Sequence, residues 1–185
     1  MIPHPDPQES AIFGETVSLC GDVLAVGAPW QILGPSGGVP NAGSVYLFER
    51  DASSGQWNLM TTIPNPDPGE WDEFGRVLAL DEDLLVIGVP LDESSVGING
   101  GSVYFYQRDA STGQWLPVEM GTTAGNFPGQ MFGPNPTVVE GFGASASLSD
   151  DLLVIGTNSV EVAGFDYAGG VHVYQQVTAS GPWQL

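Results

Sequence analysis

The sequence contains no lysine and only three arginines, against 22 aspartates and glutamates, which gives a formal net charge of −19. Binding to nucleic acid needs a clustered basic face, so this composition excludes it, and it also argues against docking on anionic lipid. The single cysteine, Cys20, excludes a disulfide within these 185 residues. No apolar run approaches the roughly 18 to 20 residues of a membrane-spanning helix, so no direct membrane insertion is expected.

Glycine and proline are abundant, with 26 and 15 residues respectively. Such a content disfavours helices and is typical of many short strands joined by turns. Apolar residues make up 42% of the chain, which is enough to build a core. The length is that of one domain or a piece of a larger one.

The sequence repeats itself three times, and this periodicity predicts the fold. Each copy has a Phe-Gly pair, an alternating stretch, a continuously apolar run, a Gly-led alternating stretch and a closing tryptophan, which indicates four short strands. About 60 residues for four strands is the scale of a propeller blade. The Phe-Gly pairs are Phe13-Gly14, Phe74-Gly75 and Phe142-Gly143, and the tryptophans are Trp57, Trp115 and Trp183.

About fourteen residues after each Phe-Gly pair comes Gly27-Ala28-Pro29 in copy one, Gly88-Val89-Pro90 in copy two and Gly156-Thr157-Asn158 in copy three. Together with the Gly-x-Val-Tyr-x-Phe stretch that follows, this pattern resembles the FG-GAP repeat of integrin-α-type β-propellers. The resemblance implies an all-β fold of β-propeller blades, each of four antiparallel strands. Three blades are present, and a parent propeller of about seven blades is expected.

The repeat phase sets the expected organisation of the chain. Both ends fall inside repeats, so the chain is expected to be an excerpt of a longer one, or to be completed by another copy or a partner. The expected units are the end of a preceding blade and a linker (1–12), blade 1 (13–63), a linker (64–73), blade 2 (74–120), a long inter-blade loop (121–141) and blade 3, truncated in its fourth strand (142–185).

The calcium-binding loop of the family has no counterpart at the matching positions of this sequence. Integrin-like repeats hold calcium in a long loop between strands one and two, since the ion needs six to eight oxygen ligands. Here those loops are predicted to be tight turns around Asp22, Asp83 and Asp151. Asp92, Glu93 and Asp166 are weaker cation candidates, with solvated loop carboxylates the favoured interpretation. No cofactor is therefore expected, although calcium stays open.

No catalytic constellation is visible in the sequence. His4 lies in a proline-rich segment, and His172 occupies the position that Tyr46 and Tyr104 hold in the other copies. Cys20 is predicted at a turn tip with no basic neighbour to activate its thiol. No carboxylate pair stands out as the acid and base of a glycosidase. The sequence therefore predicts a protein that is not an enzyme.

Aromatic and other apolar residues in the irregular loops are the remaining functional candidates. The loop after Gly27-Ala28-Pro29 is three residues longer than its counterparts, and the stretch from Trp115 to Phe142 is ten residues longer than its own. These loops are expected on one face, where such side chains either bind a partner or pack back on the blade. The candidate partner-binding residues are Trp30, Ile32, Leu33, Trp71, Phe127, Met131 and Phe132.

Three hypotheses follow. The first is a non-enzymatic propeller module for protein binding, adhesion or structural assembly, located outside the cell or in the lumen of a secretory compartment or organelle. Its partner would be another protein, or further blades of the same or another chain. The second is a propeller segment of a secreted hydrolase whose catalytic residues lie outside these residues. The third is a calcium-stabilised scaffold, whose melting temperature a chelator would lower.

Overall fold

Three antiparallel sheets follow one another along the chain in the computed structural model, which describes residues 1–35, 37–93, 99–119, 127–135, 139–176 and 183–185. The described residues contain β-strands and no helix, so the expected all-β fold of propeller blades is confirmed. Accordingly, no described helix has the length and hydropathy needed to cross a membrane. Blade 1 comprises β1 (Val17–Cys20), β2 (Val23–Ala28), β3 (Ser44–Arg50) and β4 (Trp57–Pro64). Blade 2 comprises β5 (Val77–Asp81), β6 (Leu84–Val89), β7 (Ser102–Arg108), β8 (Trp115–Pro117) and β9 (Gln130–Phe132). Blade 3 comprises β10 (Phe142–Ser149), β11 (Leu152–Thr157), β12 (Gly170–Gln176) and β13 (Trp183–Gln184).

Within each blade, the first four strands pair side by side in chain order, and β9 of blade 2 pairs with β7. Two-residue turns join the first strand to the second, as the pairing of Cys20 with Val23 shows in blade 1. The predicted tight turns are therefore confirmed. At the end of β3, Asp51 Oδ1 accepts hydrogen bonds from the amides of Ser53 and Ser54 at 3.0 and 2.7 Å, and Gly55 has a φ of 71°. This is an Asx turn with glycine in the left-handed region.

The fourth strand of blade 2 is interrupted, which the sequence does not predict. The ten extra residues divide it into β8 and β9, both of which pair with β7. Met131 lies opposite Val103, as Ile63 lies opposite Val45 in blade 1. The segment expected as one inter-blade loop at 121–141 thus contains a strand, because an apolar side chain is needed to cover Val103. Residues 121–126 and 136–138 of that segment lie outside the described residues.

The blades pack face to face. We call the side of a blade turned toward the preceding blade its leading face, and the side turned toward the following blade its trailing face. Val45 and Leu47 on the trailing face of blade 1 form one core cluster with Phe74, Leu85 and Ile87 of blade 2, and all five are fully buried. The corresponding residues of blades 2 and 3 form a second cluster: Val103, Phe105, Phe142, Leu153 and Ile155.

The Phe-Gly pairs close these junctions. Phe74 packs edge-on against Tyr104 at 5.4 Å between ring centroids, and its backbone lies against Gly43 of blade 1. A Cβ atom at Gly43 would stand 2.2 Å from the Phe74 carbonyl oxygen, so only glycine permits the approach. Phe142 and His172 repeat the ring contact in blade 3 at 5.6 Å, which confirms that His172 fills a tyrosine's place.

Candidate partner-binding surface

Two loops meet at one end of blades 1 and 2. The β2–β3 loop of blade 1 and the β4–β5 connection are joined by backbone hydrogen bonds. Trp71 N donates to Pro40 O at 3.1 Å, and Glu73 N donates to Asn41 O at 2.9 Å. The predicted candidates Trp30, Ile32, Leu33 and Trp71 therefore lie on loops that share this end of the blades. We call these four residues the apolar rim.

Trp30 is held in place by a side-chain hydrogen bond. Its indole Nε1 donates to Glu73 Oε1 at 3.0 Å, and the other Glu73 carboxylate oxygen forms an ion pair with Arg76. The glutamate is almost completely buried, whereas 38% of Trp30 stays accessible. A carboxylate bound by a guanidinium and an indole has little freedom to turn. The exposed ring of Trp30 is therefore fixed in orientation.

Ile32 and Leu33 occupy the next part of the same loop. The side-chain amide of Gln8 binds both backbone groups of Ile32, accepting from its N–H at 3.0 Å and donating to its carbonyl at 3.2 Å. Ile32 is exposed and Leu33 is half-buried. Leu33, Pro35, Val39 and Pro68 line a shallow, mainly apolar depression of about 450 Å³. The loop thus offers a concave apolar area beside its exposed side chains.

Trp71 is the most exposed member of the apolar rim. About 55% of its surface is accessible, and its φ is +70°. A bulky residue in the left-handed region is an outlier, and such conformations persist only where the surroundings impose them. Here the neighbouring residue Asp72 is buried and anchored. The backbone holds Trp71 outward at a conformational cost.

Asp72 fixes the connection from beneath. Its Oδ2 accepts hydrogen bonds from Gly69 N at 2.6 Å and Asn65 Nδ2 at 2.9 Å, and only 1% of the residue is exposed. Burial raises the pKa of Asp72 to about 6, despite these two donors, and the negative charge of Asp92 contributes in the same direction. No arginine or histidine forms an ion pair with it within the described part of the chain. Asp72 thus supports the loop through its hydrogen bonds, and its carboxyl group has a pKa of about 6 instead of 3.8.

Asp92 lies in the β6–β7 loop of blade 2, which corresponds to the β2–β3 loop of blade 1. It is also buried. Its Oδ2 accepts hydrogen bonds from Ser102 Oγ and from Gln130 Nε2, the latter at 2.9 Å. Burial raises the pKa of Asp92. Gln31 stands at this position in blade 1 and accepts the hydroxyl of Tyr46 at 2.7 Å. The corresponding hydroxyl of Tyr104 is buried without a hydrogen-bond partner among the described residues.

The weak cation candidates do not come together. Asp92 is buried within blade 2, whereas Glu93 and Asp166 are exposed, and Asp166 lies in blade 3. Across the described ranges, no group of three or more histidine, cysteine, aspartate or glutamate residues is placed to hold a metal ion. Asp22, one of the turn aspartates, binds Arg50 instead, with 2.5 Å between Oδ1 and Nη2.

The three candidates in the stretch that carries the ten extra residues differ from most of the apolar rim in being buried or half-buried. Met131 and Phe132 belong to β9 and are buried, and Phe127 is half-buried against the blade 1–blade 2 core. For these residues the structure favours the alternative that they pack back on the blade. The residues that the sequence does not single out are Gln8, Glu73 and Asp72, which hold the apolar rim. The two matching Pro-rich segments before the first two Phe-Gly pairs are the only sequence signal near them.

The four-stranded sheets that follow one another along the chain define a β-propeller-type module. The chain belongs to the FG-GAP repeat family, whose model matches residues 2–48 and 57–106. The match covers most of blade 1 and the first three strands of blade 2 as far as Tyr106, and it includes the first two Phe-Gly pairs. No curated protein matches the chain. Members of this family are typically extracellular and non-enzymatic, and often bind proteins.

Proposed function

We propose that this chain is a non-enzymatic module that binds a protein partner through the apolar rim of Trp30, Ile32, Leu33 and Trp71. The observation that carries the proposal is that two exposed tryptophans are held by hydrogen bonds between the two loops, Trp30 through its indole and Trp71 through its backbone amide. Tryptophan is enriched among residues that dominate binding energy. Because the Trp30 ring is already ordered, it loses little conformational entropy when a partner covers it.

The charge of the chain supports a particular chemistry for the partner. With −19 charges overall, the protein repels acidic surfaces and attracts basic ones over the Debye length of about 8 Å at physiological salt. All three arginines are engaged with carboxylates, so none stands free near the rim. The fitting partner presents an apolar protrusion surrounded by lysine and arginine. Adhesion or assembly outside the cytoplasm is the setting in which we place this activity.

The experiment first identifies the partner and then measures its affinity. A photo-reactive amino acid in place of Ile32 captures the contacting protein, which mass spectrometry identifies. Trp30→Ala and Trp71→Ala are then expected to weaken its binding at least about 30-fold each, the size of a hot-spot loss. Leu116→Ala is the matched control, since Leu116 is similarly exposed but lies on β8, away from the apolar rim. Equal affinity of the two tryptophan variants and the control would refute the proposal.

A further inference from the structure

The shallow depression beside Ile32, which we call the apolar depression, is lined by residues whose side chains form no hydrogen bonds. Leucine, valine, proline and glycine make up its described lining. All of these residues belong to the β2–β3 loop of blade 1 or to the β4–β5 connection, so the depression is formed where blades 1 and 2 meet. An occupant therefore makes apolar contacts there, and its own backbone groups must be satisfied by water or elsewhere.

The loop backbone is fixed and leaves no strand edge to pair with. Leu33 N donates to Val39 O at 3.1 Å, and Val39 N donates to Leu33 O at 2.8 Å. Gln8 binds both backbone groups of Ile32. A Cβ atom at Gly38 would stand 2.1 Å from Leu33 O, so only glycine fits this narrow part of the loop. A ligand that adds a β-strand needs unpaired backbone groups, which these residues do not offer.

Trp71 borders the apolar depression and carries an unused hydrogen-bond donor. It follows Pro68 by three residues, and its backbone amide donates to Pro40 O, next to Val39. Within the part of the chain that the structure describes, the indole N–H of Trp71 makes no hydrogen bond. About 55% of the residue is exposed. An aromatic ring and a polar donor thus stand together at the edge of an apolar surface.

The turn that holds Trp71 does not require tryptophan. Sixty-one residues earlier, Ser10 stands at the matching position with a φ of 61°, close to the 70° of Trp71. Two positions further on, Ile12 and Glu73 also match, at 48° and 59°. Since a serine supports the same backbone, the turn geometry does not account for a large exposed ring at residue 71. Tryptophan at such a position is typical of a recognition residue.

The charges next to the apolar depression are negative. Glu70, beside Trp71, is exposed, and Asp67, beside Pro68, is half-buried. The whole chain carries −19 charges, and its three arginines are bound to carboxylates. A ligand with lysine or arginine next to its apolar residues is complementary to this surface.

We propose that the apolar depression and Trp71 bind a proline-rich segment in the polyproline II conformation, flanked by lysine or arginine. The inference rests on the proposed function and specifies the segment that the partner presents. A polyproline II helix has no internal hydrogen bonds and keeps its backbone solvated, so it loses none of its own bonds on an apolar surface. Its proline rings fill the depression, and one of its carbonyl groups accepts the Trp71 indole N–H. Because this helix is ordered before binding, it suits a shallow site with few polar contacts.

Selection from a random peptide library displayed on phage tests the proposal on the 185-residue chain. Clones that bind the wild-type chain are passed over Trp71→Ala, and those that the variant does not retain are sequenced. These clones are expected to be enriched in proline and in lysine or arginine, and poor in aspartate and glutamate. Leu116→Ala, exposed on β8 away from the apolar rim, is expected to retain them. Clones without proline, or no clones that depend on Trp71, would overturn the proposal.

The most enriched peptide, made synthetically, separates the ring of Trp71 from its donor. Trp71→Ala is expected to weaken its binding at least about 30-fold. Trp71→Phe keeps an aromatic face without the N–H, and should weaken binding about 3- to 10-fold, the value of one hydrogen bond. Glycine in place of the prolines of the peptide should cost at least about tenfold, because the unbound peptide is then disordered. Full affinity of Trp71→Phe or of the glycine peptide would contradict the proposal, provided circular dichroism shows that the variants fold.

Failure of this inference can be told from failure of the proposed function. The partner captured at Ile32 is digested, and mass spectrometry identifies the cross-linked segment. If that segment lacks proline while Trp30→Ala and Trp71→Ala still weaken the partner, the apolar rim is a binding site and only the polyproline assignment is wrong. If both variants bind the partner as Leu116→Ala does, the proposed function fails and this inference fails with it.

Discussion

Gly27 of blade 1 lies directly against the backbone carbonyl of Gly75 in blade 2. A Cβ atom at Gly27 would stand 2.2 Å from that oxygen, and one at Gly88 would stand 2.4 Å from the Gly143 oxygen of blade 3. The glycines at this position in the first two copies thus lie against the Phe-Gly pair of the next blade. The two halves of the repeat signature, 48 and 55 residues apart in the sequence at these two junctions, are in contact in the structure.

Gly27→Ala should therefore destabilise the blade 1–blade 2 junction. The new methyl group meets backbone, which cannot move aside cheaply, and overpacking of this kind costs about 1–3 kcal/mol in the free energy of unfolding. Urea denaturation measures the change. Gly170→Ala is the control, because its Cβ would meet nothing closer than Thr157 Oγ1 at 3.4 Å. Equal stability of the two variants would contradict this account of the repeat.

Met131→Ala should show that β9 is part of the core. Met131 is fully buried opposite Val103, and truncation of a buried methionine costs about 2–5 kcal/mol. Leu116→Ala, at a half-exposed position on the neighbouring β8, should change the free energy of unfolding by less than about 1 kcal/mol. If Met131→Ala is as mild as Leu116→Ala, the division of the fourth strand into β8 and β9 is wrong.

Asp72 should make the fold less stable as the pH rises. Its pKa is about 6 in the folded protein and 3.8 in its ordinary environment, so the folded chain holds its proton more tightly. The stabilisation is fully present below pH 3.8 and is lost as the pH rises through about 6, with a total of up to about 3 kcal/mol.

The measurement compares the free energy of unfolding of the wild-type chain with that of Asp72→Asn across this range. The difference between the two isolates Asp72 from the other titrating groups. The wild type should lose stability relative to the variant between about pH 4 and pH 7. If the two stability curves stay parallel across this pH range, Asp72 has the same pKa in the folded and the unfolded chain, which would contradict the prediction.

The two Asx turns should titrate as a matched pair. Four hydrogen bonds from serine and threonine residues lower the pKa of Asp51 and of Asp109 to about 2. Their contribution to stability is present above pH 3.8 and is lost as the pH falls through about 2. Carbon-detected NMR titration should give these values for both. Ser53→Ala should raise the pKa of Asp51 alone, and a simultaneous shift at Asp109 would argue against local hydrogen bonding as the cause.

The strands and turns could be predicted because their determinants are local. Alternation identifies Val45 and Leu47 as one face of β3, and the Asp-Ala-Ser-Ser-Gly stretch specifies its own turn. The match of His172 to Tyr46 can also be read from the aligned copies of the sequence. In the structure, each ring packs against the phenylalanine of its own Phe-Gly pair. The repeat supplies the long-range information that a single segment lacks.

The interrupted fourth strand and the support of the apolar rim could not be predicted. Whether Met131 is a loop residue or a strand residue depends on Val103, which lies 28 positions away in the sequence. The burial of Asp72 likewise depends on Asn65 and on the loop of blade 1 above it. The positive φ of Trp71 arises from that same packing, so nothing in the residues next to it signals an exposed and strained tryptophan.

The side chain that ends the first strand of each blade has a consequence for how such a protein changes over evolutionary time. Cys20 and Asp81 both reach an amide of the next unit, although their chemistry differs. Because the donor is a main-chain N–H, it is present whichever residue other than proline occupies the turn. A duplicated or deleted unit therefore finds its anchor ready at the new boundary, and the array can grow or shrink in whole units without compensating substitutions.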